Sequence, residues 1–152
     1  MVTEIDSEKI YPDTARFKTM HWHQEMQIVY CTAGKIKVDL LAEQIYIKAG
    51  EALLINSRVV HHDQTLQGGY YYCFIFSENM MISEAVPDSY EWVHSISENA
   101  NLPFYLFSGN ETWHEDILDS LKRLIQVEKQ SSNYYAYEVM HELTGLMCLM
   151  LK

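Results

Sequence analysis

The chain has 152 residues, three cysteines and a formal net charge of −10, with a sequence pI near 5.0. One domain of this length buries roughly 70% of its unfolded surface without metal or disulfide staples, and so acidic a chain lacks the basic face that phosphate-backbone binding needs. Cys31, Cys73 and Cys148 each sit in an apolar run. Their odd number and wide spacing predict buried thiols in a reducing, cytoplasmic setting. No apolar run approaches the roughly eighteen residues of a membrane span, and Glu4, Asp6 and Glu8 do not suit a signal peptide.

Residues 1–20 are polar and carry Pro12, which predicts an N-terminal arm with room for one short strand. The segment His21-Trp22-His23-Gln24-Glu25-Met26-Gln27 follows. Read with a two-residue period, it places His21, His23, Glu25 and Gln27 on one face of an extended chain. Strands are then expected at 26–32, 36–40, 45–47, 52–55 and 70–76, with turn signals at Ala33-Gly34, Glu43-Gln44, Ala49-Gly50, Asn56-Ser57 and Gly68-Gly69. Short strands so spaced, with no long helical pattern among them, indicate a small antiparallel barrel or double sheet. Residues 78–107 hold neither period for long and are expected to form short helices and loop.

From residue 110 the helical period is strong. Ile117, Leu118, Leu121, Leu124 and Ile125 form one stripe, and acidic residues gather at its start, where the positive helix end favours them. Asn110 or Thr112 is the expected cap, the latter in the pattern Thr112-x-x-Glu115. After a break at Ser131-Ser132-Asn133, a second stripe of Ala136, Val139, Met140, Leu143, Leu146, Met147 and Met150 runs to the end. The expected boundaries are an arm at 1–20, a β domain at 20–108 and a helical hairpin at 109–152. One helix can cover the β domain while the remaining apolar face seeks a partner.

His21-x-His23, with a nearby carboxylate or amide and a further histidine at His61 or His62, has the residue types of an imidazole-rich divalent metal site. The same side chains suit the polar wall of a small-molecule pocket, and that reading is preferred, because Gln27 is a weak neutral ligand. Tyr70 and Tyr72 fall on the face opposite Tyr71, and an inward tyrosine near the histidines would add a stacking surface and a hydroxyl. Trp22 is expected to pack against the arm or the helices. His94, His114 and His141 are isolated and take no role. No nucleophile elbow or phosphate loop occurs, and mid-strand Cys31 and Cys73 are expected to be inert.

The stretch His21–Gly34, then Ile45-Tyr46-Ile47-Lys48-Ala49-Gly50-Glu51 and Leu54-Ile55-Asn56-Ser57-x-x-Val60-His61, resembles the N-terminal effector-binding cupin domain of AraC-family transcriptional regulators. The likeness continues through Tyr72–Ser77, Leu102-Pro103-Phe104 and the helix pair, and covers residues 20–151. It implies a cupin double-stranded β-helix, or jelly roll, followed by an α-helical hairpin. It further implies a small-molecule effector, often a sugar, held by His21, His23, Glu25, Gln27, His61 and Tyr72, with no cofactor. The resemblance implies a homodimer through the helices, with Leu118, Leu121, Ile125, Val139, Leu143 and Met147 as contact residues. DNA would be read by a helix-turn-helix domain that these residues do not include. Two positions depart from the family: Gln27 stands where a glutamate is usual, and Ser57 where many members have proline. The rival expectation is a small metal-dependent cupin enzyme of isomerase or dioxygenase type, with His21, His23 and His61 or His62 as ligands.

Overall fold

A computed structural model describes residues 2–6, 19–66 and 68–152, the first five through their backbone. Within these described residues eight strands form two antiparallel sheets. They are β1 (Val2–Asp6), β2 (Met26–Ala33), β3 (Lys35–Leu40), β4 (Gln44–Lys48), β5 (Ala52–Ile55), β6 (His61–Thr65), β7 (Tyr70–Phe76) and β8 (Phe104–Phe107). The larger sheet has the order β1-β7-β2-β5-β8 and the smaller β4-β3-β6. Among the described residues there are also three α-helices, α1 (Ser89–Ser97), α2 (Thr112–Gln130) and α3 (Tyr135–Met150), and a 3-10 turn at Glu78–Met80. The two sheets close on each other as a cupin-type jelly roll, with α2 and α3 as a helical hairpin against the outside of the larger sheet.

Two apolar layers follow from strand alternation. Val29, Cys31, Leu53, Ile55, Tyr71 and Cys73 point between the sheets and meet Ile36, Val38, Leu40 and Ile47. Met26, Ile28, Tyr30, Leu54, Tyr72 and Phe74 point the other way and pack under Ile117, Leu121, Leu124, Leu143 and Leu146. Central strands β2, β5 and β7 are therefore covered on both faces and read as near-continuous apolar runs. β3, Lys35–Leu40, the middle strand of the smaller sheet, keeps one polar side and alternates cleanly.

Gly34 explains the tight passage from β2 into β3. Its φ is 60°, and a Cβ there would collide with the backbone carbonyl of Gly68. The hairpin turn and the start of β7 can approach only because that position has no side chain.

Five expected strands occur at or within a residue or two of their expected ends, as does the helical hairpin. The arm's one strand occurs as β1, which pairs with β7 in register from Val2 opposite Phe74 to Asp6 opposite Tyr70; the rest of the expected arm falls largely outside the described residues. Two strands were not expected. β6 is short and polar, His61-His62-Asp63-Gln64-Thr65, and β8 lies in the stretch read as short helices and loop. The expected cap at Thr112 is not made: α2 starts at Thr112 itself, its cap position is Glu111, and no side chain bonds there. Ser131, in the left-handed conformation at φ 47°, ends α2 at the expected break.

The six residues expected at a dimer contact lie in the core of this chain. Leu118, Leu121, Ile125, Leu143 and Met147 are buried, and Val139 packs against them. The apolar stripes of α2 and α3 are consumed by the sheet and by each other, so they are not available to a partner. The outward side of α2 is charged; the outward side of α3 presents Tyr137, Met140, Thr144, Gly145 and Cys148. Arg123 Nε donates to Glu142 Oε1 at 2.9 Å and ties the two helices together. Cys31 and Cys73 are buried as expected, with their thiol pKa values raised by burial, whereas Cys148 is exposed on α3.

A candidate functional site of clustered histidines

Residues 21–25 do not form the regular extended segment that was expected to put His21, His23, Glu25 and Gln27 on one face. The chain bends at Gln24 and Glu25 before β2 begins. His21 instead makes a single antiparallel bridge to β6, with its N–H donating to the His61 carbonyl at 3.0 Å and the His61 N–H donating back at 2.9 Å. The bridge and the bend replace simple alternation. They bring His21, His23 and Gln27 together with His61, and leave Glu25 half-exposed at the rim, 3.7 Å from His23 Nδ1. Trp22, expected to be packed, is 59% exposed.

The three imidazoles are in contact. Ring centroids lie 4.5 Å apart for His21 and His61, 5.1 Å for His23 and His61, and 5.8 Å for His21 and His23. Each ring has its Nδ1 2.9 Å from a backbone carbonyl oxygen: Thr19 for His21, Glu25 for His23 and Val59 for His61. A carbonyl oxygen can only accept, so Nδ1 carries the proton in all three rings and Nε2 is left with its lone pair in the neutral form. The Nε2 atoms of His23 and His61 both face Gln27 Oε1 at 3.1 Å. Gln27 is fully buried, and its Nε2 donates to Asp63 Oδ2 at 2.6 Å.

Burial governs the charges. The His61 pKa is lowered to about 4, first by desolvation, opposed by its bond to Val59, and then lowered further by the neighbouring histidines. His21 is lowered for the same first reason. Asp63 moves the other way, to about 6, because burial penalises its carboxylate more than the Gln27 bond and the histidines favour it. Its Oδ1 is buried with no hydrogen-bond partner among the described residues.

Of the expected site residues, His21, His23, Gln27 and His61 converge. Tyr72 does not: it lies on the helix side of β7, within the core under α2, where the Lys129 ammonium sits 5.7 Å from its ring centroid. The tyrosine that points between the sheets is Tyr71, whose hydroxyl pKa is driven well up by burial. Asp63 was missed although a signal existed. It follows His61 by two residues on a strand, so the period that turns His61 inward turns Asp63 inward too. The same period settles the choice between adjacent histidines: His62 faces outward beside Asp39 and Gln64.

This fold, with a polar cluster between the two sheets and a helical hairpin behind the larger sheet, matches a known sequence family. The profile of the AraC-like ligand-binding domain fits residues 5–133. The chain belongs to that family. The domain is 30% identical over 127 residues to the HTH-type transcriptional regulator YdeC of Bacillus subtilis (strain 168), a match covering 82% of this chain and 43% of that protein. Among solved structures it is similar to the AraC-like transcriptional activator CuxR, with a TM-score of 0.52 at 10% identity over 85% of this chain and 41% of the other. ToxT from Vibrio cholerae O395 gives a TM-score of 0.50 at 11% identity, over 95% of this domain and 50% of ToxT. The domain thus spans half or less of the length of these relatives. Among the described residues, no helix is long and apolar enough to cross a membrane.

Proposed function

We propose that this domain senses a small polar effector at the histidine end of its barrel and dimerises through the outward face of α3, as part of a transcriptional regulator whose DNA contacts lie in another domain. The observation that carries the reading is the coupling of His21 to both site and arm. One end of the arm is laid on the larger sheet through the β1–β7 ladder, and the other returns to the site through the His21–His61 bridge. An effector that touches His21 and His23 acts on the segment that ends the arm. Such contact shifts a conformational equilibrium if it differs between the two states.

The effector wall in this reading is His21, His23, Gln27 and His61, with Glu25 at the rim and Asp63 behind. The dimer surface is Tyr137, Met140, Thr144 and Cys148. It is continuous with an apolar cleft of about 280 Å³ between α3 and the α1 region, lined by Met80, Val86, Trp92, Met140, Met147 and Leu151. A second copy of α3 would cover exposed Tyr137 and Met140 together with that cleft.

Thermal denaturation against a library of sugars and related metabolites tests the effector site. The expected result is a stabilising compound whose effect is lost in His23→Ala, a folded variant by circular dichroism. A stabilising compound whose effect survives both His23→Ala and His21→Ala would place the effector elsewhere.

A further inference from the structure

We propose that a polar cavity between the β5–β6 turn and the end of α1 binds a small zwitterion of the α-amino-acid class, its carboxylate on Arg58 and its ammonium on Glu98. The cavity has a volume of about 160 Å³, and its wall includes Asn56, Ser57, Arg58, Ser97, Glu98 and Asn99. It shares no wall residue with the histidine cluster, so the assignment stands whether or not an effector binds among the imidazoles. With about 30 Å³ as the share of one water in the liquid, the space suits a molecule of roughly five to seven non-hydrogen atoms.

The wall is braced by three separate segments. Asn56 is 3% exposed, and its Nδ2 donates to the carbonyls of Ile96 at 2.6 Å and Leu102 at 3.0 Å, while its Oδ1 accepts from the Ser57 N–H at 2.9 Å. The Asn56 N–H donates to the Pro103 carbonyl at 2.9 Å. Ser57 Oγ donates to the Gln24 carbonyl at 2.6 Å, and the Arg58 N–H to the His23 carbonyl at 2.8 Å. A shape fixed before the ligand arrives lowers the ordering cost of binding.

Three features of this wall point to a ligand. The first is the backbone of Arg58, at φ 62°. Glycine or asparagine holds such a turn position without strain, and strain kept under a long cation is explained when the guanidinium has to stand at that place. The Arg58 side chain enters no ion pair among the described residues. The second is Ser97, which is 3% exposed and whose hydroxyl has no hydrogen-bond partner among the described residues. Buried hydroxyls are ordinarily paired.

The third feature is the pair of charges, and it specifies the class. Glu98 is half-exposed, its Oε1 is 4.0 Å from His94 Nε2, and it forms no ion pair with Arg58. Opposite charges thus stand in one wall without meeting, and a molecule carrying both bridges them. A chain of net charge −10 repels a simple anion, and Arg58 repels a simple cation. A zwitterion escapes both penalties, and the planar fork of Arg58 matches its carboxylate.

The experiment is a calorimetric titration of the whole chain with glycine, L-alanine and L-serine, set against propionate, ethylamine and glycerol, with backbone amide chemical shifts to locate the contact. At least one of the amino acids should bind once per chain with a Kd at or below about 1 mM, moving the amides of Ser57, Arg58 and Asn99. Propionate and ethylamine should bind at least about tenfold more weakly, since each forgoes a charged hydrogen bond. Arg58→Gly keeps a positive φ that glycine adopts freely, so the turn survives while binding falls below detection. Glu98→Gln, at an exposed position, should lower affinity by about tenfold. Absence of saturable binding by all three amino acids would overturn the site. Propionate binding as tightly as L-alanine would overturn the zwitterion assignment, and so would unchanged affinity in either variant.

Discussion

Gln27 and Asp63, thirty-six residues apart in sequence, are joined by a 2.6 Å hydrogen bond in the fully buried base of the histidine cluster. The bond spans the two sheets, since Gln27 belongs to β2 in the larger and Asp63 to β6 in the smaller. It also places the site's one buried carboxyl group directly behind its one amide.

The first prediction concerns acid stability without metal. Asp63 has a folded pKa of about 6, above its ordinary 3.8, so its contribution is fully present below 3.8 and is lost as pH rises through 6. His61 has a folded pKa of about 4, below its ordinary 6.5, so its contribution is present above 6.5 and is lost as pH falls through 4. The two effects oppose each other between pH 4 and 6, each on the order of 3 kcal/mol. Asp63→Asn removes one of them. In chelator, denaturant unfolding of the variant should therefore show a steeper loss of stability from pH 6.5 to 4 than the parent, and parallel profiles would contradict the opposing-charge account.

A second prediction separates the two faces of the hairpin. Leu121 is fully buried between α2 and the sheet, so Leu121→Ala should cost about 2–5 kcal/mol of stability through lost contact and the cavity left behind. The effect should be seen in denaturant unfolding at any protein concentration, because the residue packs within one chain.

Met140 is 43% exposed on the opposite side of α3. Met140→Glu should change the stability of one chain by no more than about 0.5 kcal/mol, while placing a charge in the face proposed to meet a second copy. Sedimentation should show a dimer for the parent and a shift towards monomer for the variant. An unchanged dimer would move the interface off α3.

These contrasts show what could be read from the sequence and what could not. Alternation located β3 because one side of that strand meets water, and the apolar runs of β2, β5 and β7 announced strands without saying which face meets helices. That ambiguity is why alternation set Tyr71 opposite Tyr72 without saying which of the two faces the histidines. Leu118, Leu121, Ile125, Leu143 and Met147 form real amphipathic stripes, yet a stripe specifies burial and leaves open whether a sheet or a second chain provides it. The convergence of His21, His23, Gln27 and His61 was legible from residue type and spacing. Its actual cause, a bridge from His21 to His61 with a bend at Glu25, depends on contacts forty residues apart and left no local signal.

Gln27→Glu gives the last prediction and the most direct reading of the cluster. The new carboxyl group would stand within hydrogen-bond distance of the Asp63 carboxyl group. Two buried carboxyl groups in contact resist ionising together, so the variant should lose about 1–3 kcal/mol of stability at pH 7.5. At pH 4 the pair can share protons and the loss should shrink. Denaturant unfolding of parent and variant at the two pH values reads the difference. If the variant is destabilised to the same degree at both, the cost lies in packing and the two carboxyl groups do not meet.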